Sequence, residues 1–321
     1  MRAAYVSHLV PDAPLDGLVI GERPAPEPRE GWATVQVKAA ALNHHDLWAL
    51  RGVGLSDKQC PMILGTDAAG IAPDGSEVIV HGVIGGDGVG VAPGEGRSLL
   101  SEKYQGTLAE YVSVPKANLI PKPAALTFEE AACLPTAYLT AYNMLFRAAR
   151  LGPGHSVLVQ GIGGGVATAA IVLGKAAGLE VYATSRHASK LERGKALGAV
   201  WTGKTGERLP KRVDAVIESV GAATWGSSVR AVRAGGTIAV CGATSGDAPP
   251  AELTRIFFNE VHVVGCTMGT RADLAALANF LATTGTRPVI DSVLPLEKVP
   301  DGLERLAAGY QTGKIVISIS K

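Results

Sequence analysis

The sequence has almost no net charge: 30 lysines and arginines against 29 acids leave +1 over 321 residues. No basic face is implied, so nucleic acid and anionic membrane are poor candidates as partners. No apolar stretch is both long enough and free enough of Gly and Pro to span a bilayer. Cysteine is scarce, and none of Cys60, Cys133, Cys241 and Cys266 lies in a C-x-x-C pair. Met1-Arg2-Ala3-Ala4-Tyr5-Val6 reads as a first strand rather than a cleavable segment. A reduced, cytoplasmic protein with mostly structural cysteines is therefore expected. There is no internal repeat and no low-complexity segment. What is abundant is apolar residue: 47% hydrophobic against 18% charged. That excludes disorder and allows large cores, and the length suits two domains.

The most informative segment is Val157-Leu158-Val159-Gln160-Gly161-Ile162-Gly163-Gly164-Gly165-Val166. A β-branched run stops at a glycine cluster, and the Ala-rich stretch Ala167–Gly178 follows at once. Strand, tight turn and helix are predicted. Backbone N–H groups then line a helix N-terminus that no side chain obstructs, which suits a pyrophosphate. A second apolar run, Glu180–Ser185, follows at the distance a right-handed βαβ unit needs. Dinucleotide binding is the expectation, through Gly161, Gly163, Gly164, Gly165 and Val166.

The first third of the chain is Gly- and Pro-rich, with short alternating runs such as Ala33–Ala39, Ser76–Val80 and Leu108–Val114. A β-rich, barrel-like domain is expected there. After Pro121-Lys122-Pro123 the texture changes. Thr127-Phe128-Glu129-Glu130 has the form of a capping box, Pro135 is expected to break that helix, and a further helix should run from about Thr136 to Arg150. Strands then alternate with helices: Val157–Gln160, Glu180–Thr184, Ala215–Ser219, Thr237–Cys241 and Val261–Cys266 against Ala167–Gly178, Ser189–Leu197, Thr224–Val232 and Arg271–Thr284. This is the pattern of an α/β, doubly wound parallel sheet. The tail, ending in a strand at Lys314–Ile319, returns to the early texture. Residues 122–269 are thus expected as a nucleotide-binding domain inserted in a β-rich domain made of 1–121 and 270–321.

Taken together, several segments resemble the medium-chain dehydrogenase/reductase superfamily. They are Val37–Asp46, Gly65–Gly70, Gly106–Val112, Leu134–Tyr142, the glycine turn, and Gly313–Val316. The resemblance spans essentially the whole chain. It implies a GroES-like (chaperonin-10-related) barrel, a Rossmann domain, and an active-site cleft between them. Zinc alcohol dehydrogenases of the superfamily place a cysteine, a histidine and usually a second cysteine where this chain has Asn43, Thr66 and Thr136. An amide and two hydroxyls do not replace those ligands. The stretch Gly82–Glu102, where those relatives hold structural zinc on four cysteines, contains none. No metal is expected, and a substitute site from His44, His45, Asp67 and His81 matches no ligand set of the family. The resemblance is to the zinc-free branch of quinone oxidoreductases and enoyl or enone reductases, with Trp48 in place of a frequent pocket tyrosine.

An acid at the end of the second Rossmann strand selects NAD, and a base there accommodates the 2′-phosphate of NADP. The segment reads Ser185-Arg186-His187-Ala188-Ser189-Lys190, with no acid before Glu192. NADPH is the expected cofactor, its phosphate met by Ser185, Arg186 and Lys190. Gly242 and Thr244 are expected near the nicotinamide ribose or carboxamide. The resemblance adds Thr140 beside the nicotinamide and Lys314 near the phosphates; a solvated Lys314 is the bland alternative. Ala167 stands where a last glycine is usual.

Without a metal, hydride transfer calls for an acceptor that leaves a stabilised anion, such as a quinone or an α,β-unsaturated carbonyl. Asn43 and His45 are the candidate catalytic residues, the first as a hydrogen-bond donor and the second as a proton donor. For His45, simple packing on the loop is the competing reading. Trp48 is expected to line the substrate pocket, with loops at about Trp48–Cys60 and Gly85–Glu102 and the region Phe257–Arg271. The alternatives are an alcohol dehydrogenase of the zinc type and a non-catalytic NADPH-binding protein. The apolar strand Val261–Cys266 would lie at the sheet edge, and a homodimer through that edge is expected.

Overall fold

A computed structural model describes residues 1–85 and 96–319. Much of the Gly85–Glu102 loop therefore lies outside the described residues. The chain divides into two compact units, Met1–Ala137 with Thr270–Lys321, and Tyr138–Gly269.

The first unit is built on the ten-residue strand Trp32–Ala41, whose outer part alternates half-buried and buried side chains as a period-two strand should. It pairs antiparallel with Asp67–Ile71, Tyr111–Pro115 and Lys314–Ser318. Glu77–Val80 and Leu119–Pro121 extend the sheet on one side, and Ile290–Pro295 on the other. A smaller sheet joins Leu18–Glu22, Arg2–Val6 and Met62–Ile63. Val35, Val37, Leu50, Leu64, Leu303 and Ile317 share one buried cluster, so the tail closes the core opened by the first third of the chain.

Residues 122–137 belong to this unit rather than to the nucleotide-binding one. The helix Phe128–Ala132 packs on Trp32–Ala41 and Asp67–Ile71. Its capping box forms as expected, with Thr127 Oγ1 accepting from Glu130 N at 3.2 Å. As expected, that helix ends just before Pro135, at Ala132 with Cys133 as its C-cap, and a new helical run begins at Leu134. Leu134–Tyr138 is a π-helix, followed by α-helical Leu139–Tyr142 and π-helical Asn143–Ala148. Pro135 sits in the first turn of a new segment, where its missing N–H has no intrahelical partner to lose.

The second unit is a six-stranded parallel sheet. Its spatial order is Trp201–Lys204, Glu180–Ser185, Ser156–Val159, Val213–Glu218, Val232–Val240, His262–Gly265. In chain order this is 3-2-1-4-5-6, the Rossmann arrangement with its switch point between Ser156–Val159 and Val213–Glu218. The edge strand Trp201–Lys204 was not anticipated, because Trp-Thr-Gly-Lys has neither alternation nor an apolar run. Helix Gly165–Ala176 lies against Ser156–Val159 and Glu180–Ser185. Among the described residues no helix is long and apolar enough to cross a membrane.

Candidate active site

Three neighbouring strands of the first unit bring a polar cluster together. Ala41 pairs with Asp67 on one side and with Val316 on the other. Antiparallel register then sets Asn43, two residues beyond Ala41, opposite Lys314, two residues before Val316. The Lys314 ammonium is buried, with 2% side-chain exposure, and the Asp67 carboxylate has none. Lys314 Nζ donates to Leu42 O at 2.8 Å, Asn43 Oδ1 at 2.5 Å and Asp67 Oδ2 at 2.9 Å. Three ammonium protons meet three acceptors. Asn43 Nδ2 donates in turn to Asp67 Oδ2 at 2.9 Å, with Thr66 Oγ1 and Ala41 O each at 3.3 Å. Thr66 Oγ1 is 2.9 Å from Thr136 Oγ1.

This geometry corrects two expectations. Lys314 is neither solvated nor left with a proton for a cofactor phosphate. Asn43 is not a spare donor, because its amide bridges the ammonium to Asp67 and Thr66. Both hold the cluster together.

Helix His44–Leu50 starts from Asn43 through a second capping interaction, Asn43 N to Asp46 Oδ2 at 2.8 Å. Asp46 Oδ1 also accepts from Gly65 N at 3.1 Å. Burial pushes the Asp46 carboxyl up, against the opposing pull of His45, the Asn43 N–H and Lys314. His45 is neither loose nor merely hydrated. Its Nε2 is 3.0 Å from Glu102 Oε1, and Ser101 Oγ stands 3.5 Å from its Nδ1. Ser101 has φ +66°, a left-handed conformation that a serine adopts at a cost. Glu102 is itself held, by Leu99 N to Oε2 at 3.2 Å and by Gln59 Nε2 to its carbonyl at 2.8 Å. Burial alone disfavours a charged imidazole at His45. The hydrogen bond to Glu102 and the negative charges of Asp46, Glu102 and Asp67 outweigh it, and the pKa stands above the ordinary value. For Glu102, burial is likewise overcome by its bonds to His45 and Leu99, and its pKa is lowered. Trp48 is half-buried, with its ring 6.4 Å from that of His44. His44 is shifted down by burial and by the positive charges of Lys314 and Arg51.

In the second unit the glycine turn has the expected form. Gly161 has φ +77° and Gly163 φ +134°, and Gly164 is the N-cap of helix Gly165–Ala176, which begins with Gly165 and Val166. A Cβ on Gly163 would fall on the side chain of Lys190, so the Lys190 stem lies across the turn where phosphate would sit. Ala167 is buried at 3%, as a methyl packed under the helix should be. Ser185 is buried and its Oγ accepts from His187 N at 3.2 Å, which leaves its own proton to donate. Arg186 is exposed and makes no ion pair among the described residues. Gly242 and Thr244 follow Val232–Val240 at its carboxyl end, with Thr244 Oγ1 donating to Ser219 O at 3.4 Å. Thr140 is buried on the helix Leu139–Tyr142.

Sequence reasoning missed Glu102 and Glu218. Glu102 lies 57 positions from His45, beyond any local pattern. Glu218 ends the strand Val213–Glu218 with no exposed surface. Its carboxylate accepts from Val220 N at 2.8 Å, Gly221 N at 3.0 Å, Thr224 Oγ1 at 2.8 Å and Ser228 Oγ at 2.6 Å. It shapes the loop at the switch point. The adjacency of a strand-end acid to Val220-Gly221 was the available signal.

Comparison with known proteins agrees with this architecture. Residues 29–124 match the family described as alcohol dehydrogenase GroES-like domain, and residues 165–283 that described as zinc-binding dehydrogenase. The zinc-type alcohol dehydrogenase-like protein YogA of Leptosphaeria maculans is 30% identical, over 94% of this chain and 94% of its own. The 2-methylene-furan-3-one reductase of Solanum lycopersicum is 35% identical over 91% of this chain and 73% of its own. The chain belongs to the medium-chain dehydrogenase/reductase superfamily. It is accordingly an oxidoreductase working with a pyridine nucleotide. A solved structure titled as an NAD-dependent alcohol dehydrogenase superposes with a TM-score of 0.90 at 33% identity, covering all of both chains.

The zinc that the second family description names does not fit the residues present here. The positions that carry its ligands in zinc relatives are Asn43, Thr66 and Thr136, linked to one another by hydrogen bonds and closed by an ammonium ion. Asp67 Oδ1 is buried without a hydrogen-bond partner, but it is a single oxygen. Among the described residues no group of three His, Cys, Asp or Glu is placed to hold a metal.

Proposed function

We propose that this oxidoreductase is a zinc-independent, NADPH-dependent reductase of activated double bonds or quinones. The observation that carries the reading is Lys314. A buried cation already neutralises Asp67 and bridges Asn43 where the zinc relatives organise a metal. A bare carbonyl reduced without a Lewis acid would leave an unstabilised alkoxide. An enone or quinone leaves an enolate or phenolate, which a proton donor and a few hydrogen bonds can hold. The name of the tomato relative describes reduction of an enone, in keeping with this substrate class.

His45 is the proton source assigned to that step. Glu102 and the nearby acids hold it protonated to higher pH than an isolated imidazole. The preference for NADPH rests on Ser185, Arg186 and Lys190 and on the lack of an acid beside them. NAD-linked alcohol oxidation is the competing activity, favoured by the solved alcohol dehydrogenase that superposes on the whole chain. We also infer a cytoplasmic homodimer. Strand His262–Gly265 is an exposed sheet edge, and Leu253, Phe257 and Phe258 beside it are 68%, 62% and 75% exposed.

The deciding experiment mixes the purified protein with NADPH and a panel of quinones, enones and enoyl thioesters, in the presence of chelator. Loss of nicotinamide absorbance with no metal in elemental analysis supports the reading. Alcohol oxidation with NAD that chelation abolishes would refute it, and NADPH binding without turnover would mark a non-catalytic binder. A monomer mass by light scattering removes the dimer.

A further inference from the structure

The link from strand Trp201–Lys204 to strand Val213–Glu218 is eight residues long, 205–212, and contains no helix. A parallel crossover ordinarily takes a dozen or more residues, usually a helix that covers the sheet. This link passes two intervening strands, Glu180–Ser185 and Ser156–Val159. It is nonetheless ordered. Leu209 packs against the cluster of Leu158, Tyr182 and Val213, and Glu207 Oε2 accepts from Lys204 N at 2.7 Å.

Beneath the link lies a cavity of about 390 Å³, reaching Leu158, Gln160 and Thr184 on the sheet and Ser227 on the helix Trp225–Ala231. Its walls carry Arg208, Lys211, Arg212, Arg230 and Arg255, against the single acid Glu207. Such an excess of one sign stands out in a chain whose net charge is +1. Lys211 is paired with Glu180, and Arg255 with Glu252 at 3.5 Å. Arg208 and Arg230 have no ion-pair partner among the described residues. The lining includes none of Gly161–Val166 and none of Ser185–Lys190.

We propose that this cavity is a second anion site, for a small ligand bearing two or more phosphate charges, separate from the nucleotide cradle. The missing helix creates the space, and the size lies within the range of small-molecule pockets. Guanidinium groups match phosphate oxygens with forked hydrogen bonds, and Arg208 and Arg230 are the two uncommitted forks. Nucleotide phosphate is bound by backbone N–H groups at a helix N-terminus; here the ligand would meet guanidinium groups of the link and of the helix Trp225–Ala231.

The test is calorimetric titration of inorganic pyrophosphate into protein saturated with NADP⁺, so that the glycine turn is already filled. Saturable binding at physiological salt is expected. The double variant Arg208→Glu, Arg230→Glu should weaken it by about a hundredfold, since each charge-assisted bond is worth a factor of about ten or more. The KM for NADPH should stay within about twofold, as neither residue lines the cradle. If charge reversal disturbs folding, Arg208→Gln and Arg230→Gln are read in the same way. Absence of pyrophosphate binding, binding unaffected by these variants, or a matching loss of NADPH affinity would each overturn the proposal. The reductase reading is measured separately, by turnover.

Discussion

Replacing Lys314 with Met keeps the apolar stem and deletes the ammonium. Asp67 is then left as a carboxylate with no exposed surface, its remaining donor the Asn43 amide. Leu42 O and Asn43 Oδ1 lose their donor as well. Breaking a buried pair by removing one partner costs about 3–5 kcal/mol, because the other charge stays buried and uncompensated. For a unit of this size that corresponds to a fall in Tm of about 6–20 °C. The assay is thermal and urea unfolding of the full chain, following the first unit through Trp32 and Trp48 fluorescence. Adding Asp67→Asn to Lys314→Met removes the orphaned charge and should recover about 2 kcal/mol or more, a coupling that a double-mutant cycle isolates. A Lys314→Met protein within about 1 kcal/mol of the parent, or additive single and double variants, would refute the view that one buried ion pair organises this cluster.

Glu102→Gln should lower the His45 pKa, read by NMR of the imidazole. The His45 contribution to stability is complete below its ordinary value of 6.5 and is lost as pH rises through the raised folded value. The Glu102 contribution is complete above its ordinary value of 4.5 and is lost as pH falls through the lowered folded value. The pair therefore stabilises most fully between these two ordinary values, and the stability difference between parent and variant should be largest there. Under the reductase reading, the alkaline limb of kcat moves to lower pH in the same variant; an unmoved limb removes His45 as the acid. Arg186→Asp should weaken NADPH by about a hundredfold while leaving NADH nearly unchanged, and equal losses for both would reject the 2′-phosphate assignment. Gly163→Ala places a methyl on the Lys190 stem at a φ of +134°. It should raise the KM for NADPH at a cost of about 1 kcal/mol or more, whereas unchanged kinetics would show that the turn does not need its glycine.

Most of the parallel sheet was legible because its longer strands are apolar runs and most of the links between them are helical. Trp201–Lys204 escaped because it is short and polar, held by pairing rather than by propensity. The glycine turn was legible because glycine is the residue that positive φ requires. The ligand-poor positions Asn43, Thr66 and Thr136 were legible as the wrong chemistry for zinc. The cation that ties Asn43 to Asp67 was not. Lys314 lies 271 positions from Asn43, and a lone lysine in sequence is most simply a solvated one.

The sequence by itself determined the layer architecture, the nucleotide turn and the residues unavailable for zinc ligation, because each depends on local periodicity, backbone freedom or side-chain type. Tertiary structure alone decided that Lys314 closes the Asn43–Asp67 cluster, that Glu102 clasps His45, and that a shortened crossover leaves a basic cavity on the sheet. Those outcomes follow from strand register and chain crossing. Such features join residues far apart in sequence, and no composition or spacing records them.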